Sequence, residues 1–218
     1  MKYTTVLFDL DGTITDSKPG ILNSIRYALK KYGLQVPSDE VLQTFIGPPL
    51  KEQFQEVFGL TEEESIQMVA AYREYYAEKG IFENRVYEGV PEMLEKLKNH
   101  GMRIVMATAK PELYAERIAE HFEFDRYFDF IGGACMDGRR TDKHEVIEYV
   151  LKTCGIKDRG STVMVGDRRH DMEGAGQAGI ASLGVLYGYG SRQELETAGA
   201  GMLAEDPAEA AELILSEK

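Results

Sequence analysis

Five short apolar segments recur along the chain, and their continuous hydrophobic character constrains the fold more than any other feature. They are residues 4–8, 103–107, 130–132, 162–166 and 181–186. Apolar runs without strict polar alternation are typical of parallel strands covered on both faces. Helical patterns lie between them, as in the spacing of Val90, Leu94 and Leu97. The alternation predicts an α/β protein with a doubly wound, Rossmann-like parallel sheet.

One long stretch, residues 17–85, interrupts this alternation and contains no convincing strand. Ile21, Ile25 and Leu29 mark one helical face, and residues 61–64 have the form of a capping box before another helix. We therefore expect two domains. Residues 1–16 and 86–218 form the α/β core, and residues 17–85 form an inserted α-helical domain.

Two pairs of acids follow apolar strands directly. Asp9 and Asp11 come after the first strand, and Asp167 and Asp171 come after residues 162–166. A lone Asp at a strand end more often caps a helix or lies in a solvated turn, but two such pairs favour a shared site. Carboxylates without Cys or His at ligand spacing suit a hard ion, so we expect the four acids to form a Mg²⁺ site.

A hydroxyl and an ammonium group accompany the acids at other strand and helix ends. Thr108 follows the strand of residues 103–107, and Lys143 begins a predicted helix. Both side chains are able to hold phosphate oxygens, and Lys143 would also offset the acids. The alternative for Thr108 is to cap the helix near Pro111, and the alternative for Lys143 is a solvated helix face.

Charge and cysteine content exclude several classes of partner. The 218 residues contain 25 Lys and Arg against 37 Asp and Glu, giving a formal net charge of −12. This balance argues against nucleic acid and against an anionic membrane surface as partners. Cys135 and Cys154 have no metal-ligand spacing, and no apolar run approaches the roughly 20 residues of a membrane span. We expect a cytoplasmic protein, and no sequence feature predicts its oligomeric state.

The haloacid dehalogenase superfamily has four motifs that this sequence resembles in order and approximate spacing, over nearly the whole chain. They correspond to residues 9–13, Thr108, Lys143 and residues 166–171. The helical insertion resembles that superfamily's cap of the first type. Residues 46–50 and 184–190 are similar to the phosphoglycolate phosphatase group, which includes proteins described as nucleotidases.

The resemblance implies a chemistry for the acids. Asp9 would attack phosphorus to form an aspartyl-phosphate, and Asp11 would protonate the leaving alkoxide and then deprotonate the attacking water. Mg²⁺ would be held by Asp9, the backbone carbonyl of Asp11 and Asp167, with Asp171 binding directly or through water. The implied activity is a Mg²⁺-dependent phosphatase acting on a small phosphorylated metabolite, like phosphoglycolate phosphatase. A 5'-nucleotidase or another phosphomonoesterase of this fold is the alternative.

The resemblance also implies phosphate contacts. Gly12, Thr108, Ala109 and Lys143 occupy the phosphate-binding positions, and Ala109 stands where relatives often carry Asn. Ala109 offers no side-chain hydrogen bond.

The insertion contains a candidate substrate loop at Gly47, Pro48 and Lys51. Its restricted backbone would form a rigid lip, with Lys51 meeting an anionic group of the substrate. The alternative is a turn that joins two helices and a solvated lysine.

A receiver-like signalling module is a competing hypothesis from another class, because such domains also gather acids, a Thr and a Lys at strand ends. The order of these residues along the chain and the long helical insertion both disfavour it.

Overall fold

The computed structural model describes residues 2–216, which divide into two compact units. The first unit contains the chain up to Asp16 and again from Val86 onward. The second unit is Ser17–Arg85.

Within residues 2–216, eight strands make up two sheets. They are β1 (Thr5–Phe8), β2 (Thr15–Asp16), β3 (Arg85–Val86), β4 (Arg103–Pro111), β5 (Phe130–Ala134), β6 (Thr162–Gly166), β7 (Ala181–Val185) and β8 (Met202–Ala204). The larger sheet has six strands in the order β5-β4-β1-β6-β7-β8, and β2 pairs with β3 in the smaller one. Every pairing within the larger sheet is parallel.

Ten α-helices accompany the strands in the described part of the chain. They are α1 (Lys18–Lys31), α2 (Asp39–Gln43), α3 (Leu50–Phe58), α4 (Glu62–Tyr75), α5 (Val90–Asn99), α6 (Glu112–His121), α7 (Lys143–Thr153), α8 (Arg169–Gln177), α9 (Arg192–Thr197) and α10 (Pro207–Leu215). A π-helical turn covers Tyr76–Gly80 and a 3₁₀ turn covers Asp125–Tyr127. No helix among residues 2–216 combines the length and apolar character that crossing a bilayer requires.

The predicted α/β fold with a parallel sheet is confirmed, and each of the five predicted strands is present. The strand β8 was not predicted, because its three residues are too short to give a pattern. The strand β4 runs past the predicted end to Pro111, and its pairing with β5 shifts register between Thr108 and Pro111.

The order of the strands reverses at the central strand β1: β4 and β5 lie on one side of it, and β6, β7 and β8 lie on the other. Val6, Leu7 and Phe8 are completely buried, with β4 on one side and β6 on the other. In a doubly wound sheet, ligands bind beyond the carboxyl ends of the strands at this kind of switch point. The chain therefore delivers the residues that follow β1, β4 and β6 to one crevice.

The second unit is built from α1 to α4 and the π-helical turn. Its buried side chains include Ile25, Leu29, Phe45, Phe54 and Met68. The predicted capping box is confirmed at the start of α4, where the Thr61 and Glu64 side chains accept hydrogen bonds from each other's backbone amides.

Candidate active site

A tight turn follows β1 and brings Gly12 close to Asp167, the residue that follows β6. The carbonyl of Leu10 accepts hydrogen bonds from the amides of Thr13, Ile14 and Thr15. Gly12 has a φ of 86°, and a Cβ atom there would lie 2.2 Å from Oδ2 of Asp167. A side chain at Gly12 is therefore excluded both by backbone conformation and by the approach to Asp167.

Three carboxylates meet at the carboxyl edge of the sheet. Asp9, Asp167 and Asp171 each offer an oxygen atom within 4.8 Å of the others, and all three residues are buried. The sheet brings them together because β1 and β6 are neighbours, and the Asp9 amide donates to the carbonyl of Val165 at 2.9 Å. The Asp11 carboxylate, expected beside them, does not belong to this cluster among the described residues.

Lys143 lies among these acids. Its Nζ is 2.7 Å from Oδ1 of Asp9, 2.8 Å from Oδ1 of Asp171 and 3.0 Å from the carbonyl oxygen of Ala107. Lys143 begins α7, and its side chain is only 5% exposed. The alternative, a lysine on a solvated helix face, is therefore wrong. The lysine is part of the buried cluster.

Burial and mutual repulsion shift the pKa values of the cluster. Burial, followed by the charges of Asp171 and Asp9, raises the pKa of Asp167 well above its usual range. Burial also raises the pKa of Asp171 to about 6, against the attraction of Lys143. Burial alone would lower the pKa of Lys143, but Asp171 and Asp9 raise it overall. Lys143 thus offsets only part of the electrostatic cost of burying three carboxylates together.

This donor set fits Mg²⁺. The three carboxylates supply only oxygen atoms, and a hard divalent cation would offset the burial and the mutual repulsion that raise the pKa of Asp167 and Asp171. The Thr13 hydroxyl donates to Oδ1 of Asp167 at 3.3 Å and helps to fix its orientation. We therefore find a cluster suited in chemistry and burial to a magnesium ion.

Thr108 lies in β4, three residues before the strand ends at Pro111, and β4 is next to β1. It is buried, and its hydroxyl oxygen accepts a hydrogen bond from the Lys110 amide at 3.2 Å. The hydroxyl proton remains suited to donating to an anion. Ala109, between them, is exposed.

Sequence reasoning missed Lys110. Its Nζ lies 2.9 Å from Oδ2 of Asp11, and its side chain is only 6% exposed. The register shift in β4 between Thr108 and Pro111 accompanies this approach. Its position two residues after Thr108 was a sequence signal for its place at this edge of the sheet, but not for its pairing with Asp11.

Arg168, the residue after Asp167, makes a salt bridge with α9. Its Nε lies 2.8 Å from Oε1 of Glu194. The backbone amide of Arg168 donates to Oδ2 of Asp171 at 3.1 Å, which fixes that acid at the start of α8.

The candidate substrate loop lies in the second unit. Gly47 has a φ of 108°, and Pro48 precedes Pro49, the N-cap residue of α3. Lys51 pairs with Glu62 at 3.1 Å, and both side chains are substantially exposed.

Comparison with known protein families decides the classification. A family model described as haloacid dehalogenase-like hydrolase matches residues 6–185. The chain belongs to this family. The match includes the β1 turn, Thr108, Lys143 and the acids after β6, so the family that the four motifs indicated is confirmed.

Curated relatives in the family carry several names. The 5'-nucleotidase of Pseudomonas aeruginosa is 44% identical over 195 residues, covering 89% of this chain and 88% of the relative. Phosphoglycolate phosphatase 1 of the same organism is 30% identical over 192 residues, covering 84% of this chain and 70% of the relative. Tyrosine-protein kinase PtkA of Mycobacterium tuberculosis is 40% identical over 186 residues, covering 85% of this chain but 62% of the relative.

Solved structures include close neighbours. The crystal structure of a predicted phosphatase from Clostridium acetobutylicum has a TM-score of 0.93 and 42% identity, covering 99% of each chain. The likeness thus extends to the inserted helical unit as well as to the sheet.

Proposed function

We propose that this protein is a Mg²⁺-dependent phosphatase that hydrolyses a small phosphomonoester through an aspartyl-phosphate on Asp9. The observation that carries the proposal is the buried cluster in which Lys143 contacts both Asp9 and Asp171. In such a cluster the carboxylates would bind a cation, and the ammonium would bind a phosphate dianion beside it. The chain belongs to a hydrolase family, which supports an enzyme over a receiver-like signalling module.

Asp9 supplies the nucleophile. It follows the central strand, and its contact with Lys143 fixes one carboxylate oxygen. Lys143 and the Thr108 hydroxyl would hold the oxygens of the transferring phosphoryl group, helped by backbone amides near Gly12. Covalent transfer to Asp9 divides one difficult displacement into two easier steps.

Asp11 acts as the general acid and base. It protonates the leaving alkoxide in the first step and deprotonates the attacking water in the second. Its carboxylate lies outside the buried acid cluster, with Lys110 as its partner. This separation leaves Asp9 and Asp11 with distinct tasks.

The metal would be held by Asp9, the backbone carbonyl of Asp11 and Asp167, with Asp171 binding directly or through water. Bound Mg²⁺ supplies Lewis-acid stabilisation of the charge on the phosphoryl oxygens. Asp167 and Asp171 contribute by keeping their carboxylates in fixed orientations through Thr13 and Arg168.

Nucleoside 5'-monophosphates are the first substrate class to test, and phosphoglycolate is the second. The 44% identity to a 5'-nucleotidase over most of both chains supports the first. The lower identity to a phosphoglycolate phosphatase supports the second. We propose further that the inserted helical unit acts as a cap and selects the organic part of the substrate.

Phosphate release from a panel of phosphomonoesters tests this function. The panel contains nucleoside 5'-monophosphates, phosphoglycolate, sugar phosphates, phosphotyrosine and p-nitrophenyl phosphate. We expect turnover that depends on Mg²⁺, is lost with a chelator and is lost in Asp9→Asn. Substantial activity with chelator or in the variant would overturn the proposal, and phosphotyrosine as the best substrate would redirect it toward protein substrates.

A further inference from the structure

The loop that follows β7, residues 186–190, lies against the acid cluster. The sequence places Leu186, Tyr187, Gly188, Tyr189 and Gly190 here, and none of them carries a group expected in phosphoryl transfer. We propose that this loop is a positioning element that holds Asp167 in the orientation required for Mg²⁺. The inference rests on the proposed function, because it concerns the same metal site.

The loop donates directly to the carboxylate. The backbone amide of Tyr189 lies 2.7 Å from Oδ2 of Asp167, and the Thr13 hydroxyl reaches Oδ1 at 3.3 Å. Asp167 is completely buried, so its orientation depends on such donors instead of on water. Both carboxylate oxygens therefore have a fixed neutral partner, one from the β1 turn and one from the loop.

The loop backbone approaches the site too closely for a side chain. A Cβ atom at Gly188 would lie 2.3 Å from Cβ of Asp167 and 2.4 Å from the carbonyl oxygen of Gly12. A Cβ atom at Gly190 would lie 2.0 Å from the carbonyl oxygen of Asp167. The two glycines thus allow the loop to pack directly on the residue whose carboxylate it holds.

Two tyrosine hydroxyls fix the loop to the segment after β1. Tyr187 donates to the carbonyl of Thr13 at 3.1 Å, and Tyr189 donates to Oδ1 of Asp16 at 3.0 Å. The Tyr187 ring also packs edge-on against Tyr87, with 5.2 Å between ring centroids. The loop is therefore anchored on the turn that carries Asp9 and Asp11.

This arrangement couples the two halves of the metal site. Asp9 follows β1 and Asp167 follows β6, while the loop follows β7 and bonds to residues from both segments. Partners that orient metal ligands typically change metal affinity about 10- to 100-fold when they are disturbed. The loop residues are not among those proposed to hold phosphate or metal, so their effect should appear first in Mg²⁺ affinity.

Gly188→Ala tests the inference, with Gly184→Ala as the matched control. The added methyl at Gly188 must displace Asp167 or the Gly12 backbone. The three atoms nearest to a Cβ atom at Gly184 belong instead to the side chains of Leu203 and Leu195, the closest at 2.9 Å. Calorimetric titration with Mg²⁺ measures affinity in each full-length protein, and thermal unfolding without metal measures stability. We expect Gly188→Ala to weaken Mg²⁺ binding at least about tenfold and Gly184→Ala to leave it unchanged.

Tyr189→Phe provides a second, milder variant that retains the backbone amide. Loss of the bond to Asp16 should weaken Mg²⁺ binding about two- to tenfold without preventing folding. Wild-type Mg²⁺ affinity in both Gly188→Ala and Tyr189→Phe would overturn the role of the loop and leave the phosphatase proposal intact. If the wild-type protein bound no Mg²⁺, the proposed metal site and the role of the loop would both be overturned.

Discussion

The ammonium of Lys143 lies 2.7 Å from the carboxylate of Asp9, although 134 positions separate the two residues in the sequence. The parallel sheet brings them together, because Asp9 directly follows the central strand and α7, which Lys143 begins, packs on a face of the same sheet. The same ammonium contacts Asp171 at 2.8 Å. Lys143 thus compensates part of the negative charge that the site concentrates before any cation or substrate binds.

Lys143→Met should destabilise the metal-free protein and abolish turnover. Removing one partner of a buried ion pair leaves its carboxylates uncompensated, which typically costs about 3–5 kcal/mol. Urea denaturation in the presence of a chelator measures the loss. We expect added Mg²⁺ to restore part of the stability but not the activity.

Lys98→Met is the matched control for that variant. Lys98 pairs with Asp129 at 2.9 Å, but the two side chains are 31% and 38% exposed. Exposed pairs contribute about 0–1 kcal/mol, so this variant should remain near wild-type stability and activity. Equal losses in Lys143→Met and Lys98→Met would contradict the buried cluster.

The stability of the metal-free protein should fall as pH rises from about 4 to about 6. The pKa of Asp171 is raised from 3.8 to about 6 in the folded chain, because burial disfavours its charged form. Within this window the folded chain binds more protons than the unfolded chain, and the free energy of unfolding decreases with pH. Asp167, whose pKa is also raised, contributes in the same direction.

Thermal unfolding across this range, with and without Mg²⁺, measures the effect. We expect the stabilisation by Mg²⁺ to be larger above pH 7 than at pH 5, because protons and the metal compete for the same carboxylates. The variant Asp171→Asn should reduce the pH dependence. An unchanged slope in that variant would show that other groups cause it.

Lys110→Met should impair substrates with poor leaving groups selectively. Lys110 fixes Oδ2 of Asp11 at 2.9 Å, and proton donation matters most when the departing oxygen is a basic alkoxide. We expect kcat for an alkyl phosphate to fall about tenfold more than kcat for p-nitrophenyl phosphate. Lys110→Arg, which retains a cation, serves as the control, and equal losses on both substrates would assign Lys110 to phosphate binding instead.

Lys51→Ala tests whether the inserted unit contributes to substrate specificity. The Lys51–Glu62 pair is exposed, so its loss should change stability by about 0–1 kcal/mol. We expect kcat/KM for the best metabolite to fall about tenfold, while p-nitrophenyl phosphate is unaffected. Gly47→Val, which strains a backbone φ of 108°, should act in the same direction.

Glu62→Gln is the control for that experiment, because it breaks the same pair and leaves Lys51 in place. It should retain wild-type kcat/KM on both substrates. If Lys51→Ala also left both kcat/KM values unchanged, the result would contradict a role of this loop in substrate recognition.

Local patterns in the sequence were sufficient to predict the larger sheet and the proximity of Asp9, Asp167 and Asp171, but not the position of the Asp11 carboxylate. Continuous apolar runs identify buried parallel strands, and the polar residues that end them meet at one edge. Asp9 and Asp167 were found in this way, and the structure brings their carboxylates together. The three residues of β8 gave no comparable signal.

Contacts between distant loops were not predictable from these patterns. Tyr189 holds Asp167 through its backbone amide, a group that every residue except proline possesses, so its identity carried no signal. The pairing of Lys110 with Asp11 depends on an irregularity in β4 that strand periodicity does not reveal. Such contacts become visible only once the register of the sheet is known.

Mass spectrometry of the acid-quenched protein during turnover tests the central claim most directly. With Mg²⁺ and a phosphomonoester substrate present, the account predicts one additional phosphoryl group on the peptide that contains Asp9 and none in Asp9→Asn. Asp11→Asn should slow both formation and hydrolysis of this species, because an amide cannot exchange the proton. A phosphoryl group on another residue, or normal turnover by Asp9→Asn, would contradict the account.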